Sequence, residues 1–479
     1  MSKKYFKKFS SKSLLNNTYF LLFIIAVFGL ALRLIFFTGM GISDSLVYSQ
    51  AANDIETLNA DTLSTRLGLV IATSIFYDLF GINDFSAVLF VLLTSISTII
   101  LIFYFGRLLF NEKIGLMSAF LLSFFPLDIV YSTQLLSDIP SAFFMALGVY
   151  IFLYAELKQK LQYGLSYLLS GIFIGIGYMI RESILLIALF FISYVIYKRR
   201  IKKEYFFVPL GIIIIFVAES LIFLGLTGNF LFRTEASQSF LLEAMQQHNF
   251  FGRLQFPTGL FHYPWLFLTN SLLLYFYLFI FMAVAYAIIT KKKESPILLL
   301  WFIPLILYLS FGSASLTQYI PFRAVDRYTS IITIPAILLL SIFLLEKNKL
   351  MKKVMMPVTL LLLFTTSISS VYLHDNRTSL DNLKEIYPTL TGIDKNIYID
   401  SRSLMILEFI DHYNGNLNLK KYPENLLGIK DSYITINNYM IKNLKEANPK
   451  LNFPKEIKNP PNNWHLIKQK NQIEIYYVK

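Results

Sequence analysis

Residues 85–109 read FSAVLFVLLTSISTIILIFYFGRLL, twenty-five positions carrying a single charge, Arg107. Crossing ~30 Å of hydrocarbon takes about 20 mostly apolar residues in helical form, so this run predicts a membrane span. The same rule along the chain predicts about eleven: 18–38, 85–109, 113–127, 138–155, 162–180, 183–197, 205–226, 266–290, 296–312, 328–345 and 354–373. The third and sixth are short. The first follows Lys3, Lys4, Lys7, Lys8 and Lys12, a flank shared with signal peptides. Its length and the lack of a small-residue cleavage site make it a span instead.

Composition agrees. Of 479 residues, 55% are hydrophobic, 16% aromatic and only 15% charged, against about 25% charged in a soluble domain. With 45 Phe and no Cys, the chain is neither collagenous, disordered nor a disulfide scaffold, and thiolate metal sites are excluded. The net charge of +13 does not mark a nucleic-acid binder, because before residue 374 Lys and Arg cluster in short patches between apolar runs. With the N-terminus in the cytoplasm, 21 basic residues fall on inner segments. Only Arg66, Arg181, Arg233, Arg253, Arg323 and Arg327 fall on outer ones, an asymmetry that sets orientation. The acids lie the other way: Asp44, Asp128, Asp138, Glu182, Glu235, Glu243 and Asp326 are among those assigned outside. The working face is expected to be extracytoplasmic.

Two outer loops, 39–84 and 227–265, are too long to be mere connectors, and such loops are common seats of binding and chemistry. The first is expected to hold an amphipathic helix near 45–58 and an interfacial helix near 66–80. From about residue 374 Asn, Lys and Tyr rise and no run is long enough to span. Residues 396–400 and 433–436 read as strands, 403–413 as a helix, and 464–478 as a hairpin turning at 470–472. The expected architecture is an all-α polytopic membrane domain over 1–373, with a small extracytoplasmic α/β domain over 374–479. That domain has 15 basic and 12 acidic residues, no nucleic-acid arm. Asn376-Arg377-Thr378 is a glycosylation sequon, a triplet that also arises by chance. No internal repeat is present.

Asp44, in Gly41-Ile42-Ser43-Asp44-Ser45, is the most informative acid. At the membrane surface it is placed to take a proton from a hydroxyl while a lipid-borne partner stays in the bilayer. The plain alternative is a helix N-cap by Ser43 or Asp44. Glu219 lies inside a span, where a carboxylate is a functional hypothesis by default; Arg33 is a candidate partner. His248 and His262 lack helical ligand spacing and read as ordinary loop residues.

The order of features carries more than any one of them. Arg33 is followed by Asp44, Arg66-Leu67-Gly68-Leu69, Phe80-Gly81-Ile82-Asn83-Asp84-Phe85-Ser86, Gly106-Arg107-Leu108-Leu109-Phe110, Pro126 and Tyr131-Ser132. Then come Ser137-Asp138-Ile139-Pro140, the glycines Gly171, Gly175 and Gly177, and Met179-Ile180-Arg181-Glu182. Over residues 20–200 this order resembles the C-type polytopic glycosyltransferases, and within them the group of protein O-mannosyltransferases and the lipid A aminoarabinose transferase. The resemblance implies transfer of a sugar from a polyprenyl-phosphate donor to a protein, lipid or glycan acceptor at the outer face of the cell membrane, with inversion. It implies Asp44 as general base, although relatives often carry an acidic pair where Ser45 follows here. It matches Asp138 to an acidic position opening the fourth span and Arg181 to a basic position after the glycine-rich one.

An anionic phosphate leaving group calls for fixed positive charge, and guanidinium suits phosphate oxygens in paired hydrogen bonds. Arg181, Arg323, Arg327 and Arg66 are the candidates for the lipid phosphate, with Arg233 and Arg253 as further outer arginines; each also reads as an interfacial anchor or ion-pair partner. Some relatives bind a divalent cation, and Asp44 with Asp138 would hold Mg²⁺ or Mn²⁺ if the fold joins them. A secondary transporter or flippase is the rival reading, but it calls for repeats and midplane charges. A non-catalytic receptor or scaffold is a third.

Overall fold

The computed structural model describes residues 17–55, 64–158, 163–246, 258–291, 294–313, 319, 322, 324–345, 356–374, 378–447 and 451–479. Its helices begin with α1 (Thr18–Ile35), α2 (Asp44–Asn53), α3 (Leu67–Phe80), α4 (Asp84–Leu109), α5 (Glu112–Ser123), α6 (Pro126–Tyr131), α7 (Asp138–Lys158) and α8 (Tyr163–Ile180). They continue with α9 (Ala188–Lys198), α10 (Phe207–Thr227), α11 (Phe232–Gln246), α12 (His262–Thr269), α13 (Ser271–Thr290), α14 (Ser295–Phe311), α15 (Ser330–Leu344) and α16 (Met356–Leu373). The C-terminal region adds α17 (Thr378–Leu390), α18 (Ser401–Ile410) and α19 (Asn438–Ala447).

The chain divides into two compact units. One comprises Met1–Phe37, Leu58–Leu69 and Phe90–His374; the other comprises Thr38–Thr57, Val70–Leu89 and Asp375–Lys479. The C-terminal residues therefore share their unit with most of the first long loop and with the start of α4.

In the first unit the long apolar runs become helices. Among the described residues seven are long and apolar enough to cross a membrane: α1, α4, α7, α10 with its lead-in turn, α13, α15 with its lead-in turn, and α16. Apolar but shorter are α3, most of α8, and α14. Several expected spans are interrupted, 266–290 among them, where α12 ends at Thr269 and α13 starts at Ser271. The run 113–127 ends as α5 at Ser123 and restarts as α6 at Pro126, because proline has no N–H to continue a helix and is suited to open one. The run 183–197 opens as a 3₁₀ turn, Glu182–Ile187, before α9. The centre of the bundle is α15, with 83% of its span buried, whereas α1, α10 and α16 are buried over 22–28% and leave apolar sides for lipid. Around Trp301 the rings of Phe105 and Phe190 close the core at 5.6 and 5.9 Å.

The second unit holds a five-stranded sheet in the order β2-β1-β3-β5-β4, from β1 (Ile397–Ile399), β2 (Leu419–Lys421), β3 (Ser432–Asn437), β4 (Trp464–Lys470) and β5 (Ile473–Val478). β1 pairs parallel with β2 and β3, while β5 runs antiparallel to both β3 and β4. The expected terminal hairpin forms, turning at Asn471 in the left-handed region (φ 52°). The expected helix at 403–413 is α18, started two residues earlier by Asp400, whose carboxylate takes the N–H groups of Arg402 and Ser403. Of the two loop helices, α3 matches expectation and α2 is shorter, ending at Asn53.

Candidate functional site

The chemistry-bearing residues of the first unit collect where helices begin and end. Ser137-Asp138 opens α7, Arg66 precedes α3, Arg181 follows the last residue of α8, Arg233 is the second residue of α11, and Arg327 lies in the 3₁₀ turn before α15. The helix dipole favours Asp138 at an N-terminus and Arg181 after a C-terminus, but Arg66, Arg233 and Arg327 stand at N-terminal ends, so their charge has to be answered by carboxylates instead.

Asp138 is the hub. Its side chain is 2% exposed, and Oδ1 is paired with Arg181. Oδ2 accepts no hydrogen bond and faces Arg327 Nε at 3.6 Å. Arg181 donates to Ser183 Oγ (3.0 Å) and Ser137 Oγ (3.3 Å), and its guanidinium lies 4.4 Å over the Tyr328 ring. Arg66 donates to the same Ser137 Oγ at 3.0 Å and pairs with Glu182 at 3.5 Å. On the other side of Glu182, Arg233 donates at 2.8 and 3.1 Å and reaches Glu219 at 2.5 Å. It also donates to the Tyr178 carbonyl at 2.9 Å. Four arginines and three carboxylates thus form one lattice. Burial pushes the Glu182 carboxyl up, but the Arg66 and Arg233 guanidiniums outweigh it and hold the group down at about 2.

The arginines are not equivalent. Arg181 and Arg233 are 9% and 5% exposed and enclosed by their partners, whereas Arg66 and Arg327 keep 12% and 20%. Arg327 is aimed by its neighbour: Asp326 takes its N–H at 2.7 Å, the Tyr131 hydroxyl at 2.8 Å and the Asn270 amide at 2.9 Å. Sequence reading missed Tyr131 and Asn270 in this supporting role, although a polar Asn between two apolar helices was a usable signal.

Other expected pairings are different. Glu219 pairs with Arg233, fourteen positions on, and not with Arg33. Arg33 is fully buried against Asp128 and donates to Ser95 Oγ (2.7 Å), Gly29 O (2.8 Å) and Ser123 O (3.0 Å). Asp128 is therefore a buried partner of Arg33. Asp44 is the first residue of α2 and belongs to the second unit; Ser43, at the cap position, makes no capping hydrogen bond and donates instead to Asp44 Oδ1 at 3.2 Å. Asp44 lies half-buried on the more open stripe of α2, with Val47, Gln50 and Asn53, while Ser45, Leu46, Tyr48, Ser49, Ala51 and Ala52 are buried. His262 opens α12. Arg323, Arg253, His248 and the sequon residues Asn376 and Arg377 lie outside the described residues.

Among the described residues no three His, Asp or Glu side chains gather in a way that suits a metal ion. Asp138 stands between two guanidiniums, and that cationic surround does not fit Mg²⁺ or Mn²⁺, which seek several oxygen donors. The second unit holds a cavity of about 350 Å³ bordered by Asn53, Tyr77, Asp78, His412 and Asn414.

Residues 68–223 match the model of the dolichyl-phosphate-mannose-protein mannosyltransferase family. No curated protein matches the whole chain or part of it. In structure the chain is similar to ArnT from Cupriavidus metallidurans, with TM-score 0.59 and 12% identity over 95% of this chain and 97% of that one. ArnT bound to undecaprenyl phosphate gives 0.60 and 11% over the same shares. The Archaeoglobus fulgidus oligosaccharyltransferase, in complex with Zn and sulfate, gives 0.50 and 14% over 82% of this chain and 61% of that one. At these identities what is shared is the fold.

Proposed function

We propose that this chain, a polytopic membrane glycosyltransferase with the C-type fold, moves a sugar from a polyprenyl-phosphate donor to an acceptor hydroxyl at the extracytoplasmic face, inverting the anomeric carbon. The observation that carries this reading is the lattice of Arg66, Arg181, Arg233 and Arg327 around Asp138 and Glu182 at one set of helix ends. In the reaction the acceptor oxygen bonds to the anomeric carbon, the bond from that carbon to the phosphate oxygen breaks, and the hydroxyl proton passes to a base. The leaving lipid phosphate gains charge, and Arg66 and Arg327, the more open guanidiniums, are the groups assigned to it. Arg181 and Arg233 hold the carboxylates that keep this positive array together, since four bare arginines would repel one another. Asp44 is assigned as the base on family likeness, its half-open position on α2 being compatible with that role. No step is assigned to a metal.

The positive-inside distribution supports an outer-facing site and hence an acceptor on that face. Support for a polyprenyl-phosphate donor comes from ArnT, which shares the fold over nearly its whole length and has been seen with undecaprenyl phosphate.

The test uses the full-length protein in nanodiscs, with undecaprenyl phosphate as binding probe and radiolabelled undecaprenyl-phosphate sugars for transfer to native membranes. Arg66→Ala and Arg327→Ala are expected to weaken probe binding and lower transfer by about 10²-fold, the usual effect of removing one preorganised donor from developing negative charge. Asp44→Asn is expected to bind the probe normally and transfer nothing measurable. Normal binding and transfer by both arginine variants would sink the assignment.

A further inference from the structure

Within the second unit, three sets of contacts converge on the segment that carries Asp44. The chain approaching it is pinned at Asp84, which takes the Met40 N–H at 3.0 Å and pairs with Lys384 at 2.5 Å. Gly39 sits beside it at φ +75°, where an added Cβ would lie 3.1 Å from the Asp84 carboxylate. Next, Arg402 donates to the carbonyl of Ile42 at 3.0 Å, two residues before Asp44. Arg402 is in the first turn of α18, which Asp400 caps. Finally, the Tyr413 hydroxyl donates to Ser49 Oγ at 2.8 Å, and Ser49 in turn meets the Tyr77 hydroxyl at 2.6 Å.

These links matter because α2 depends on tertiary contacts. It is ten residues long, too short to be stable alone, and its buried side is mostly small or polar, with Ser45, Ser49, Ala51 and Ala52 beside only Leu46 and Tyr48 as large side chains. Five residues at about 100° each place Ser49 some 140° around the helix from Asp44. Holding Ser49 therefore restrains the rotation of the helix that carries Asp44. The holder is itself braced: His412 and Tyr413 both have left-handed backbones (φ 54° and 56°), a conformation that non-glycine residues keep only when their surroundings impose it. His412 Nδ1 lies 2.5 Å from the Ile82 carbonyl, and Asp411 takes the Asn416 N–H at 2.8 Å.

We propose that the C-terminal domain is a clamp on α2, with Arg402 and Tyr413 as positioning residues that aim the Asp44 carboxylate; this rests on the reading of Asp44 as the base. The experiment compares full-length wild type, Tyr413→Phe, Arg402→Gln, Arg402→Lys and Asp44→Asn in nanodiscs. Tyr413→Phe and Arg402→Gln are expected to exchange the α2 amides at least tenfold faster. They are expected to transfer labelled sugar from undecaprenyl-phosphate donors about 10²-fold more slowly, the scale of a 1 Å misplacement, while binding undecaprenyl phosphate within twofold of wild type. Arg402→Lys, which keeps a donor, is expected to recover most of both. Unchanged exchange in Tyr413→Phe and Arg402→Gln overturns the clamp whatever the activities are. Full transfer by these two beside an inactive Asp44→Asn overturns the positioning role alone. Full transfer by Asp44→Asn overturns the base reading, and the aim of the clamp with it.

Discussion

A charge inside a helix bundle costs least when its polar atoms are answered, and Arg33 with Asp128 shows how completely this can be done. The guanidinium is spread over a carboxylate, a hydroxyl and two backbone carbonyls, with no exposed surface. Removing one member of such a pair costs about 3–5 kcal/mol, while replacing both with apolar groups is often near neutral. Asp128→Leu is therefore expected to lower thermal stability in detergent sharply, and Arg33→Met with Asp128→Leu to restore most of it. If the double variant is no more stable than the single one, the pair is not an isolated structural unit. The sequence showed both residues but not their meeting: they are ninety-five positions apart, and an intramembrane arginine has many candidate carboxylates until the packing chooses one.

At the scale of elements, α8 packs along both α7 and α10, and glycine makes the second approach possible. A Cβ on Gly171 would lie 2.0 Å from the Val208 carbonyl, and one on Gly211 would lie 2.4 Å from that of Leu168. Without a hydrophobic force between helices in lipid, such close backbone contact is a main source of their association. Gly211→Leu is expected to separate α10 from α8 and reduce the yield of folded, monodisperse protein. By contrast Gly225→Ala on the same helix, where an added Cβ meets nothing within 4 Å, is expected to be neutral; equal yields from both would contradict the packing argument. Helix identity was largely legible from hydropathy. The break at Pro126 and the 3₁₀ opening at Glu182 were not, because apolar composition says where a chain is greasy and not where its backbone bonding is interrupted.

Across the whole membrane unit, the arginine–carboxylate lattice ties the segment of Arg66, α7, α8, α10, α11 and the turn before α15 together. This gives it a pH signature. A carboxyl held at about 2 instead of its ordinary 4.5 binds fewer protons folded than unfolded, so its stabilisation is complete above pH 4.5 and drains away as pH falls toward 2. The melting temperature in detergent is expected to fall across that window, and Glu182→Gln to start lower at pH 7 and vary less; parallel curves would remove Glu182 from the lattice. Orientation is a property at this scale too. The chain contains no cysteine, so a single Lys430→Cys on the C-terminal domain provides a unique label site. A membrane-impermeant maleimide is expected to modify it in intact cells without lysis, and labelling only after lysis would reverse the proposed sidedness.

The sequence by itself determined the membrane class, the helical architecture with its small C-terminal sheet, and the glycosyltransferase likeness. Each of these follows from local composition or from the order of short motifs, which are properties of a line. It also marked Asp138, Arg181, Arg327 and Arg66 one by one as residues of interest. Only the tertiary structure decided that Asp138 joins Arg181 to Arg327, that Glu182 is shared by Arg66 and Arg233, that Glu219 and Arg33 have separate partners, and that the first loop folds with the C-terminal domain. Those outcomes depend on which helix ends become neighbours, and electrostatic pairing acts over a few ångströms of space whatever the distance along the chain.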